Sequence, residues 1–253
     1  MNIRYITCSD MREDVPIEKV MELLNISEKV ELGIQAHSFA MSYNMPRNVW
    51  FNELLNISAA APKPLNIAIH VNYQWCSDFC HGELAPELLD WFYMTHKNTG
   101  QPVIKRWQLN IGDGTAGFDA SKLSRIISNN PRREFIFPYN AKKQFETGAI
   151  SKLNRSGAEF SLLFDASYGA GITPGNWTRP AYKNHPQGYA GGLCGENIAQ
   201  NLDKIAKVVP KDYETWIDAE GKLMTPGTRR FDADRASDYI TQTLKWLKTN
   251  HLK

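Results

Sequence analysis

A thiol at Cys8, carboxylates at Asp165, Asp218 and Glu220, imidazoles at His37 and His70, and a Gly191-Gly192 pair just ahead of Glu196-Asn197 are the groups in this sequence that could do chemistry. A cysteine serves as a base or nucleophile through its thiolate, so its ordinary pKa of about 8.5 must be lowered or its substrate proton activated. A carboxyl group serves as a general acid when an apolar setting raises its pKa, and Leu162-Leu163-Phe164 runs straight into Asp165. Paired glycines let backbone N–H groups come close to a ligand, and a helix start just behind them favours an anion. Each feature also has a plainer reading. Cys8 fits an ordinary buried cysteine, His37 and His70 fit hydrogen-bonded core histidines, and Gly191-Gly192 fits a turn needing positive φ. Cys76-x₃-Cys80-His81 offers soft ligands, but its spacing is not the Cys-x₂-Cys of a strong zinc site, so no metal is expected.

The elements that must position these groups follow from the apolar pattern. Eight short apolar runs read as strands: Ile3–Cys8, Val30–His37, Leu65–Asn72, Lys105–Ile111, Glu134–Tyr139, Phe160–Ala166, Gln187–Leu193 and Thr215–Ala219. Segments of helical period separate them. Ile17, Val20, Met21 and Leu24 form one stripe after Asp14 as a cap, and Leu123, Ile126 and Ile127 form another that stops at Pro131. Strands alternating with helices predict a parallel sheet, and eight is the number that closes a barrel. An open doubly wound sheet would carry a glycine-rich turn after its first strand, and Cys8-Ser9-Asp10-Met11 has none. The expected fold is α/β, a single (β/α)₈ TIM barrel over residues 1–253, with enlarged loops after strands three and six. Chemistry in such a barrel sits at the C-terminal strand ends, where the groups named above fall.

Composition narrows the function. At 253 residues, 42% hydrophobic and 22% charged, the chain is globular, and a formal net charge of +2 gives no basic excess for nucleic acid. No apolar run approaches the roughly 20 residues of a membrane span, and the N-terminus lacks a secretory pattern, so a cytoplasmic protein with free thiols is expected.

The run Phe160-Ser161-Leu162-Leu163-Phe164-Asp165, then Tyr168-Gly169-Ala170-Gly171, then Tyr189-Ala190-Gly191-Gly192-Leu193 and Glu196-Asn197-Ile198, resembles phosphoribosylanthranilate isomerase. Cys8 sits where that family ends strand one, Pro46-Arg47-Asn48-Val49 resembles its segment after strand two, and Gln108-Leu109-Asn110 resembles strand four. The resemblance implies an intramolecular oxidoreductase (an aldose–ketose isomerase) of tryptophan biosynthesis that needs no cofactor. It implies an Amadori rearrangement, with Asp165 as general acid and Cys8 as general base. Arg47 would hold the substrate carboxylate. Gly169, Gly171, Gly191, Gly192, Asn197 and Gly221 would surround the rest of a small-molecule substrate, phosphorylated in the family's pattern. Neither a membrane nor a nucleic-acid partner is implied, and monomer and homodimer both stay open.

The chain departs from that pattern at strand eight. Where the family has Ser-Ser-Gly, this sequence has Asp218-Ala219-Glu220-Gly221-Lys222, which sets carboxylates beside any phosphate. Either Glu220 points away, or Lys222 compensates, or the ligand carries no phosphate there. Insertions around Trp75–His81 and 173–186 would lie over the mouth and change the substrate. Two other readings stand beside the isomerase. One is a lyase or metal-assisted hydrolase built on His37, His70, Asp165 and Asp218. The other is a non-catalytic barrel that binds a small ligand or a protein.

Overall fold

The computed structural model describes residues 1–112, 118–140, 144–165 and 171–251, with the side chains of 144–147 and 251 left aside. Eight strands pair in the closed order β1 to β8: β1 Asn2–Ser9, β2 Val30–Ala36, β3 Ile67–Val71, β4 Arg106–Leu109, β5 Glu134–Pro138, β6 Ser161–Asp165, β7 Gln187–Ala190 and β8 Glu214–Ala219. The printed strand pairs are all parallel. This is the expected (β/α)₈ barrel, and each strand falls within two residues or so of the run that announced it. The strands were legible because both faces are buried, which turns them into near-continuous apolar runs.

The chain forms two compact units, Met1–Leu32 with Leu163–Lys253, and Gly33–Leu162. In the first, α1 (Ile17–Leu24), α8 (Ile198–Val208) and α9 (Ala233–His251) pack around β1, β7 and β8. Asp14 does not cap α1: the helix starts after Pro16, with no side-chain cap bond. The segment after β6 carries no helix among its described residues, 171–186. Trp177 takes that role. Its indole, 6% exposed, packs on Phe164 and Tyr189 at 6.1 and 5.8 Å and donates to Asn201 Oδ1 at 3.1 Å. Further along, Tyr213 donates to the His185 carbonyl, and Tyr189 Oη donates to the Thr178 carbonyl at 2.9 Å. The late loop therefore covers the outer faces of β6 and β7, and Trp177 is a core residue.

In the second unit, α2 (Ser38–Met41), α3 (Pro46–Ala60), α4 (Tyr73–Cys80), α5 (Pro86–Tyr93), α6 (Ala120–Asn129) and α7 (Gln144–Arg155) accompany β3 to β5. The long segment after β3 is not open loop around Trp75–Cys80 but the helix α4. Trp75, Cys76, Phe79 and Cys80 form its buried stripe, and Phe79 meets Trp107 of β4 at 5.8 Å. The Asp119 side chain caps α6 through the Ser121 and Lys122 N–H groups.

Candidate functional site

In the first unit the strand register decides which side chains can meet. Thr7 of β1 lies opposite Asp218 of β8, and Cys8 lies opposite Ala219. Successive strand residues point to opposite faces, so Thr7, Ser9 and Asp218 share one face while Cys8 takes the other. Two short hydrogen bonds fix that face. Thr7 Oγ1 donates to Glu31 Oε1 at 2.7 Å, and Ser9 Oγ donates to Asp218 Oδ1 at 2.6 Å. Cys8, 0% exposed, looks toward the layer where α9 carries the buried Tyr239, whose phenol is pushed up by burial and then by the Cys8 and Asp218 charges. The face with Asp218 is the inner face of the strands. Trp216, two residues earlier on it, lies over Gly188 of β7, where a Cβ would come within 2.1 Å of the indole.

Asp165 closes β6. Its neighbour Phe164 turns outward onto Trp177 and Tyr189, so alternation turns Asp165 inward, half-buried. Its charge reaches Asp218. Burial drives the Asp218 carboxyl well above the usual carboxylate range. The Ser9 hydrogen bond opposes that shift, and Glu220, Glu31 and Asp165 add to it. Carboxylates in close company cannot all ionise, so Asp218 is the one that keeps a proton. Cys8 is also pushed far up, by burial first and then by Asp218 and Glu31, and the thiol stays protonated at neutral pH. The structure thus brings Asp165 together with Asp218, while the Cys8 thiol lies on the opposite face of β1. The turn that follows β1 is rigid: Asp10 takes φ 64° and is gripped by Arg12 through its Nε at 3.0 Å and through its NH2 group.

A glycine cradle lies next to this pair. Gly171 (φ 69°), Gly191 (φ 134°) and Gly192 (φ 58°) all adopt conformations that L side chains rarely take. A Cβ on Gly192 would sit 2.6 Å from the Gly171 carbonyl and 2.6 Å from the Thr173 nitrogen. One on Gly171 would lie 3.7 Å from the Lys222 stem and 3.8 Å from the Gly221 backbone. The loops after β6, β7 and β8 therefore meet backbone to backbone, and the Lys222 stem crosses over Gly171. Glycine is required here by close approach as well as by φ. Gly221 opens the short 3₁₀ turn Gly221–Leu223. Asn197 is spent on the protein itself. Its Nδ2 donates to the Gly192 carbonyl at 2.8 Å, and its Oδ1 accepts from the Cys194 N–H at 3.0 Å, which locks the turn between β7 and α8. Gly169 lies outside the described residues.

In the second unit a row of amides joins the strand ends. Gln108 donates to Asn110 (2.9 Å), Asn110 to Asn72 (2.7 Å), and Asn72 to Gln35 (2.7 Å). Buried His70 is held down to about 3 by desolvation and then by Arg106, so it stays a neutral imidazole and does not titrate as a base near pH 7. Arg106 is itself paired with Glu134 at 3.0 Å. His37 stacks with Phe39 and Tyr73 at 5.6 and 5.7 Å. Arg47 is the second residue of α3, half-exposed. A surface groove of ≈ 750 Å³ runs along α3 past Tyr43, Asn48, Val49 and Asn52, and no strand-end residue lines it. Among the described residues, no group of three or more His, Cys, Asp or Glu side chains could hold a metal, and no helix is long and apolar enough to cross a membrane.

Sequence reasoning gave Thr7, Ser9 and Glu31 no role, though the pattern Thr7-x-Ser9 flanking Cys8 was a usable signal. On a strand, hydroxyls at i and i+2 face together and leave the residue between them facing away. Compared with known proteins, the chain matches no protein-family model and no curated sequence.

Proposed function

We propose that this barrel is a sugar isomerase of the phosphoribosylanthranilate isomerase kind, carrying out an Amadori-type rearrangement on a glycosylamine whose anionic end rests in the glycine cradle. The observation that carries this reading is the inner-face pair of Asp218, buried and held by Ser9 at 2.6 Å, with Asp165 as the carboxylate beside it. Two carboxyl groups pushed apart in pKa supply an acid and a base from one site.

The chemistry runs as two proton transfers. The Asp218 carboxyl gives its proton to the furanose ring oxygen, the C1–O bond breaks, and the amine nitrogen's lone pair forms the C=N bond of a cationic Schiff base. The Asp165 carboxylate then removes the C2 proton, and the C2–H electrons form the enolamine, which tautomerises to the ketose. The pair begins and ends with one proton, and no outside reductant or oxidant is needed. Ser9 positions Asp218, and the cradle's backbone N–H groups orient the far end of the substrate. In this division the acid–base work passes from Cys8 and Asp165 to Asp165 and Asp218, because a buried protonated thiol on the outer face cannot reach an inner-face proton.

The test is turnover of N-ribosylanthranilates bearing a 5-phosphate or a 5-carboxylate, followed by loss of anthranilate fluorescence. Asp165→Asn and Asp218→Asn should each lose about 10²-fold or more in kcat, in line with removal of a general acid or base. Cys8→Ala should stay within tenfold of wild type. A wild type that is folded but inactive on both substrates, or a Cys8→Ala that is as dead as Asp165→Asn, would reject the proposal.

A further inference from the structure

The charges around the glycine cradle bear on what kind of anion it can hold. Gly221 touches Gly171, and Gly171 meets Gly192 through its carbonyl, so the cradle is continuous with the end of β8. On that strand Asp218 and Glu220 are two residues apart and share the inner face, and the Glu220 charge reaches Asp218. Glu220 therefore does not point away from the site. Asp165 of β6 and Glu31 of β2 add carboxylates on the same side, while the β1 contribution, Thr7 and Ser9, is uncharged. Against these the cradle has Lys222, whose stem lies 3.7 Å from the Cβ position of Gly171. The neighbouring cations at strand-end turns are already engaged: Arg12 grips Asp10, and Arg230 lies 3.7 Å from Asp14.

We infer that the cradle takes a singly charged oxyanion, a carboxylate or a phosphodiester, in preference to a phosphate monoester. One lysine offsets one negative charge. A second charge on the ligand would face Glu220 and Asp165 with no cation left to meet it, and at a few ångströms that repulsion is a substantial loss of affinity. Gly171 and Gly192 can approach either kind of oxygen, so shape does not discriminate and charge does. The inference rests on the cradle being the substrate's anion site, as proposed above, and it names that substrate's class.

The experiment compares three probes at pH 8 on the full chain, read by the backbone amide signals of Gly171, Gly192 and Gly221. The probes are ribose 5-phosphate, its methyl phosphodiester, and ribonate as the carboxylate. At that pH the monoester is a dianion, since its second pKa is about 6, and the other two are monoanions. The diester and ribonate should each bind about tenfold or more tighter than the monoester. Glu220→Gln should bring the monoester to within about threefold of the diester, and Lys222→Ala should weaken all three. A wild type that prefers the monoester, or a Glu220→Gln that leaves the ratio unchanged, overturns the inference while the acid–base pair still stands on its own activity test. Silence at all three glycines with every probe overturns the cradle itself.

Discussion

Replacing Gly192 by alanine puts the cradle's geometry to a quantitative test. The new Cβ would lie 2.6 Å from the Gly171 carbonyl, 2.6 Å from the Thr173 nitrogen and 2.8 Å from Thr173 Oγ1. Two of those three atoms are backbone, so no side chain can swing aside to relieve them. The residue also keeps φ 58°, which costs an L side chain about 1–2 kcal/mol. Overpacking of this kind costs about 1–3 kcal/mol more, for a total of roughly 2–5 kcal/mol. For a chain of this length each kcal/mol lowers the melting temperature by about 2–4 °C, so Gly192→Ala should melt roughly 5–15 °C below wild type. Gly175→Ala is the control, because a Cβ there meets nothing within 4 Å and its φ is not positive. It should stay within about 0.5 kcal/mol of wild type. Scanning calorimetry on the two variants decides. Equal melting temperatures would mean that the loops after β6 and β7 do not meet as described.

Other consequences can be measured separately. Asp218 has its folded pKa raised above its unfolded value, so its protonated form contributes stability that is fully present below about pH 4 and is lost as pH rises toward and through the folded value. Wild type should therefore lose stability with rising pH at up to about 1.36 kcal/mol per pH unit from this group. Asp218→Asn, which keeps an oxygen for Ser9, should show a flatter profile in urea titrations; an unchanged slope would remove the case for a proton on Asp218. Trp177→Ala should cost about 3–5 kcal/mol, as for other buried aromatic truncations, and open the 171–186 segment to proteolysis. A variant as stable and as protease-resistant as wild type would show that the indole is no anchor.

How far the fold and site were legible can be traced through particular residues. The strands were clear because doubly buried strands write themselves as apolar runs. Asp165 was found because a carboxylate at the end of such a run needs a task. Two kinds of information were missing from the reading. One was strand parity: Cys8 sits between Thr7 and Ser9, and the hydroxyls that hold Glu31 and Asp218 place the thiol on the outer face. The other was tertiary compensation. With no helix among the described residues after β6, something must cover Phe164 and Tyr189, and Trp177 does so in place of lying over the mouth. Likewise Trp75, Cys76, Phe79 and Cys80 have helical spacing and bury as the stripe of α4, although their composition suggests an exposed thiol-rich loop. Asn197, expected near the substrate, has its oxygen and nitrogen engaged in locking its own turn.

The account's central claim is that the reactive proton sits on Asp218, beside Asp165 on the inner face, and not on the Cys8–Asp165 pair. Side-chain ¹³C-carboxyl NMR of the aspartates, titrated through neutral pH with Asp218→Asn to assign the signal, reads this directly. The account predicts that the Asp218 signal keeps its protonated position at pH 7 and shifts when Asp165 or Glu220 is neutralised by Asn or Gln. An Asp218 signal that titrates in the ordinary carboxylate range, near pH 4, and ignores both substitutions would contradict it.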